Sequence, residues 1–171
     1  MSAASRLQSV SRKPLLDRAR KRGAPADQAF RTFVDGLVRV SARMQALRGK
    51  LAAHMKLSPP QYAIAMVLAH ERRGLRVVDV AARLGLSVTF VTTQIGRMER
   101  SGLVRRSDNP DDRRSSIIAL AGKGRERLAR GAAFQRAVND RLFASLSREE
   151  MLRLTRVLAR IGADADAALE L

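Results

Sequence analysis

Residues 84–120 read LGLSVTFVTTQIGRMERSGLVRRSDNPDDRRSSIIAL, and the fold turns on this stretch. Val91, Ile95 and Met98 recur at helical spacing, so one face of a helix points inward. Ser87 is placed to cap that helix and Gly85 to make the turn before it. Val78–Leu84 predicts a short preceding helix, which makes the order helix, glycine turn, second helix: a helix-turn-helix. Downstream, Leu103–Ser107 predicts a strand, Asp108–Asp112 a turn-rich tip and Ser115–Leu120 a second strand. Two strands joined by a polar tip directly after a recognition helix make a wing.

With Val91, Ile95 and Met98 inward, Thr89, Thr92, Thr93, Gly96, Arg97 and Arg100 face outward or sideways. Short hydroxyls let a helix approach base edges, and threonine methyls meet thymine methyls. Arg97 and Arg100 lie farther along and suit phosphates. Ser87, Thr89, Thr92, Thr93 and Arg97 are therefore the candidate DNA contacts of the helix. An isolated helix carries such residues as a plain solvated face; the glycine turn before it and the basic wing after it favour DNA. At the wing, Arg113 and Arg114 suit a narrow minor groove. DNA would repel Asp111 and Asp112, so their expected task is holding an arginine or the loop in shape.

The flanks read as helices. Phe30, Phe33, Val34, Leu37, Val38, Met44, Leu47, Leu51 and Met55 form one stripe over more turns than a small core needs, so a partner helix is expected. Ser58-Pro59-Pro60-Gln61 is a capping box with proline in the first turn, predicting a helix that ends near Arg73-Gly74. Gly122-Lys123-Gly124 breaks the second wing strand, and a helix over 125–145 follows. Ser147-Arg148-Glu149-Glu150 starts the last helix, over 147–169. The expected fold is mainly α with a small β-wing. A winged helix-turn-helix lobe at 58–120 sits between dimerisation helices at 29–56 and 125–169. Residues 29–171 make one domain. Residues 1–28 form a basic extension, either a solvated tail or an arm touching phosphates.

Charge agrees with this. Lys and Arg number 33 against 16 Asp and Glu, a net charge of +17, which favours polyanions. A coding bias toward Arg and Ala also raises such a count. The chain has no cysteine, which removes disulfides, thiol catalysis and thiolate metal sites. His54 and His70 stand alone without a third ligand at metal spacing, and Gly122-Lys123-Gly124 lacks P-loop spacing. No cofactor, metal or catalytic set is expected, so an enzyme is not. No apolar run is long enough for a membrane span, and no signal peptide is visible, so cytoplasmic residence is expected.

Leu84-Gly-Leu-Ser87, Val91-Thr92, Ile95, Met98-Glu99, Gly102-Leu103-Val104 and Asn109-Pro-Asp-Asp-Arg-Arg114 together resemble the DNA-binding lobe of the MarR (multiple antibiotic resistance regulator) family. Leu57-Ser-Pro-Pro-Gln-Tyr62 resembles that family's second helix, and the likeness spans about 29–169. Gln94, Phe90 and Ala121 depart from the usual apolar, small and capping residues at their positions. The resemblance implies a homodimer on pseudo-palindromic double-stranded DNA. It also implies Arg114 in the minor groove and Asp112 as its structural partner. It further implies repression released by a small aromatic carboxylate or an aromatic acyl-CoA bound between dimerisation helices and lobe. Arg43, Met44, His54, Tyr62 and Met66 are the candidate pocket residues, each equally accounted for as an ordinary core or surface side chain. Two other readings compete: an architectural nucleoid protein without effector, and a helical scaffold whose charge is unrelated to DNA.

Overall fold

The computed structural model describes residues 26–110, 112 and 114–171. Helices α1 (Ala26–His54) and α2 (Pro59–Ala69) lead into α3 (Val77–Leu84) and α4 (Val88–Arg100). Strands β1 (Leu75–Arg76), β2 (Val104–Asp108) and β3 (Ser116–Leu120) form one antiparallel sheet in the order β1-β3-β2. Helices α5 (Gly122–Leu142) and α6 (Arg148–Ala168) follow. The architecture is the expected one, mainly α with a β-wing. Most of the basic extension lies outside the described residues.

Local chemistry sets the boundaries. Lys56 ends α1 in the left-handed region at φ 53, and the Leu57 amide donates back to the Ala52 carbonyl at 2.9 Å. This reversal buries Leu57 and starts α2 within a few residues. The α2 cap is reciprocal: the Gln61 amide donates to Ser58 Oγ at 3.4 Å, and the Ser58 amide to Gln61 Oε1 at 3.0 Å.

The sequence reading ends α2 near Gly74, but the helix stops at Ala69. Gly74 serves the sheet instead. Its φ is +80, and a Cβ there would lie 2.5 Å from the Ile118 carbonyl oxygen. Only glycine lets β1 reach β3, where Leu75 pairs with Ile118 and Arg76 with Ile117. Val77, directly after β1, already opens α3.

A second correction concerns Gly122-Lys123-Gly124, which form the first turn of α5 rather than a break before it. A Cβ on Gly124 would lie 2.1 Å from the Leu103 carbonyl oxygen, so the glycine admits the helix against the start of β2.

The lobe holds the core. Ile64 of α2, Val80 of α3, Val91, Ile95 and Met98 of α4 and Ile118 of β3 are fully buried. Burying each such side chain is worth about 1.5–3 kcal/mol, so four elements converge on one hydrophobic centre that aims α4. The flanking helices differ. No residue of α6 is buried. Phe33, Val38 and Val40 of α1 and Leu152, Leu154 and Leu158 of α6 stay exposed.

Candidate nucleic-acid interface

The turn that presents α4 is built from Gly85 at φ 62, whose amide donates to the Ala81 and Ala82 carbonyls. Ser87 then caps α4 by accepting from the Phe90 amide at 3.3 Å, so its oxygen is committed to the helix start. Val91, Ile95 and Met98 are fully buried, as their spacing predicts. Gln94 is buried too, at 7% exposure, where the sequence resemblance leads one to expect an apolar residue. Thr89, Thr92, Thr93, Arg97 and Arg100 are exposed on the rest of the helix. Thr92 Oγ1 donates to the Val88 carbonyl at 2.8 Å and Thr93 Oγ1 to the Thr89 carbonyl at 3.0 Å.

The wing pairs β2 with β3 from Val104–Leu120 out to Asp108–Ser116. Arg105 and Arg106 are exposed on β2, and Arg106 faces Glu99 of α4 at 3.7 Å, tying wing to helix. The tip is organised by side chains. Asn109 is buried and its Nδ2 donates to Ser115 Oγ at 2.8 Å. The Asp112 carbonyl accepts from the Ser115 amide at 3.0 Å and from Ser115 Oγ at 3.1 Å. Asp112 Oδ1 accepts from the Arg114 amide at 3.0 Å. Asp112 therefore holds the backbone of Arg114, not its guanidinium, and Arg114 is exposed at the tip. Arg113 and Asp111 lie outside the described residues.

One ion pair ties β1 to α3. Arg76 Nε and Nη2 donate to the two Asp79 oxygens at 2.8 and 2.9 Å, the bidentate fork that arginine favours. The hydrogen bond to Asp79 and the Asp79 charge hold Arg76 above its ordinary pKa, with the Asp112 charge adding in the same direction. The same bond holds the Asp79 carboxyl below the usual carboxylate range.

A cavity of about 210 Å³ opens between α1, α2 and the C-terminal half of α5. Met44, Tyr62 and Met66 line it together with Leu47, Arg48, Leu51, Val138 and Phe143. Arg43 and His54 are not among its lining residues. Arg43 is exposed on α1, and the His54 ring rests on Phe134 with centroids 4.6 Å apart. The cation of this cavity is Arg48, which the sequence reading passed over; its signal is the four-residue step from Met44 along one helix face. Burial pushes the Tyr62 phenol above its ordinary pKa, and the Arg48 charge opposes that shift. Leu86 and Val88 were also missed, apolar yet exposed like Phe90 around the start of α4. Among the described residues, no group of three or more His, Asp or Glu side chains is placed to hold a metal. No helix among them is long and apolar enough to cross a membrane.

Comparison with known proteins fits this geometry. Residues 57–116 match the model of the MarR family. The transcriptional regulator HosA of Escherichia coli O111:H- is 31% identical over 94 residues, which are 55% of this chain and 69% of HosA. The HTH-type transcriptional regulator TtmR of Methylorubrum extorquens (strain PA1) is 45% identical over 76 residues, 44% of this chain but only 38% of that protein. Among solved structures, CouR from Rhodococcus jostii RHA1 bound to p-coumaroyl-CoA superposes with a TM-score of 0.67 at 25% identity, over 73% of this chain and 87% of that one. The transcriptional repressor CouR bound to a 23-mer DNA duplex gives a TM-score of 0.63 at 30% identity, over 74% and 89%. The relatives are regulators, not enzymes. With its helix-turn-helix, its basic wing and these likenesses, the chain belongs to the MarR family of DNA-binding transcription regulators.

Proposed function

We propose that the protein is a homodimeric, sequence-specific repressor released from its operator by a small aromatic acid or its CoA thioester. The observation that carries the effector half is the cavity between α1, α2 and α5, with a buried phenol, two methionines and an arginine on its walls. Arg48 supplies a counter-charge for a carboxylate or for a phosphate of CoA, and Met44 and Met66 give adaptable apolar walls. The solved likeness that holds p-coumaroyl-CoA supports the same ligand class. Dimerisation is supported by the apolar stripes that α1 and α6 leave uncovered, which a second copy buries by two-fold symmetry. In this reading Thr89, Thr92 and Thr93 meet base edges, Arg97 meets phosphate, and Arg113 and Arg114 enter the minor groove on a wing shaped by Asp112.

A ligand shifts DNA affinity only by its differential affinity for the free and DNA-bound states, typically about 1–3 kcal/mol in such couplings. Tyr62 is the sole tyrosine and tryptophan is absent, so intrinsic fluorescence reports this cavity alone. Titration with benzoate, salicylate, hydroxycinnamates and their CoA thioesters changes that emission, and the same compounds release the protein from selected DNA. Arg48→Ala blunts both effects. Ligand binding that is indifferent to DNA, or no binding across the panel, would leave an architectural DNA-coating protein as the better reading.

A further inference from the structure

The start of α4 carries large apolar side chains that stay exposed. Among the described residues of 57–120, the large apolar side chains left exposed are Val78, Leu86, Val88 and Phe90. Three of these lie at the N-terminal end of α4, at 39% for Leu86, 46% for Val88 and 40% for Phe90, with Val88 and Phe90 on opposite flanks of the helix. None of them belongs to the buried core. The N-terminal residues of a recognition helix are those that meet base edges.

The polar groups beside them are spent in a particular way. A threonine hydroxyl has one proton, and Thr92 and Thr93 both donate it to carbonyls one turn back. Toward the groove each offers only lone pairs and a methyl. The first two turns of α4 therefore present a phenyl ring, aliphatic groups and the acceptors of Thr92 and Thr93, beside Ser87 and Thr89 hydroxyls that keep a proton to donate. Guanine shows two acceptors in the major groove and no apolar group, so it gives Val88 and Phe90 nothing to pack on. An A·T pair shows an N6 amino donor and the C5-methyl of thymine, the one apolar group on the major-groove edges of the four bases.

We infer that the start of α4 reads thymine through its C5-methyl, with Val88 and Phe90 as specificity-determining residues and threonine oxygens accepting from the paired adenine. This inference rests on α4 being the DNA-reading helix and adds the base that it reads.

The test uses the full chain and a pool of duplexes with a randomised core. Duplexes enriched by binding are remade with each thymine replaced singly by deoxyuridine, which removes only the methyl. Removing one methyl from an apolar contact costs about fourfold in affinity, and at least one thymine per half-site behaves this way. Phe90→Ala and Val88→Ala lose the preference for thymine over uracil at that position. Their slope of affinity against salt stays that of the unsubstituted protein, because phosphate contacts are untouched. Equal binding of thymine and uracil duplexes at every position by the unsubstituted protein overturns the inference, whatever the variants do. So does a thymine preference that survives both substitutions. A pool that yields no enriched sequence sinks sequence-specific reading itself, and that outcome is distinct from the other two.

Discussion

Replacing Gly74 with alanine tests the link between one backbone position and the wing. Gly74 has φ +80, where a residue with a Cβ costs about 1–2 kcal/mol. The added Cβ also meets the Ile118 carbonyl oxygen at 2.5 Å and Ile117 Cγ2 at 2.7 Å, contacts that force β1 away from β3. Overpacking of this kind costs about 1–3 kcal/mol more, so the expected loss is about 2–5 kcal/mol. Gly85 is the internal control. Its φ is +62, yet nothing lies within 4 Å of a Cβ built on it, so Gly85→Ala carries the backbone cost alone. Urea unfolding followed by far-ultraviolet dichroism at one fixed protomer concentration measures both, since dimerisation feeds into apparent stability. Gly74→Ala unfolds at lower urea than Gly85→Ala. It also weakens DNA binding, because β1 carries Arg76 and braces the strand behind the wing. Coincident unfolding of the two variants would falsify the steric argument.

Other outcomes are expected. Arg114→Ala weakens binding to a selected duplex by about 1–3 kcal/mol in a fluorescence-anisotropy titration while the dichroism spectrum is unchanged; wild-type affinity would mean that the wing tip does not touch DNA. Absorbance at 295 nm follows Tyr62 alone and gives a midpoint above the ordinary tyrosine value in the folded protein, moving down to that value in denaturant. Because the folded pKa is raised, the neutral phenol stabilises the fold fully below the unfolded pKa. That contribution is lost as pH climbs through the folded one. Asp79 works in the opposite sense: its lowered carboxyl adds stability above the unfolded pKa, lost as pH falls through the folded value, and Asp79→Asn removes that acid-side slope. Deleting residues 1–28 lowers the slope of log affinity against log salt by about 0.9 for each phosphate contact removed, and an unchanged slope makes the extension a bystander.

The elements most readable in the sequence were those governed by neighbours along the chain. The α2 and α6 caps are three-residue hydrogen-bond exchanges, Ser58 with Gln61 and Ser147 with Glu150, and such exchanges need no tertiary partner. The buried face of α4 follows from helical spacing, and Gly85 from the need for a left-handed residue at a helix end. Gly74 and Gly124 were misjudged for one reason. Locally each is a helix breaker, but each answers to a carbonyl oxygen distant in sequence, Ile118 for one and Leu103 for the other.

The candidate sites divide along the same line. Sequence by itself determined the fold class, the recognition helix with its outward threonines and arginines, the wing and the net charge of +17. All of these depend on local periodicity, turn chemistry or counting. Tertiary structure alone decided that Met44, Tyr62 and Met66 share a cavity with Arg48 and that His54 turns instead to Phe134. It also decided that Asp112 grips the Arg114 amide rather than its guanidinium, and that Phe90 stays exposed. Periodicity says which face of a helix is apolar, but which neighbour arrives to cover that face is set by where the chain returns.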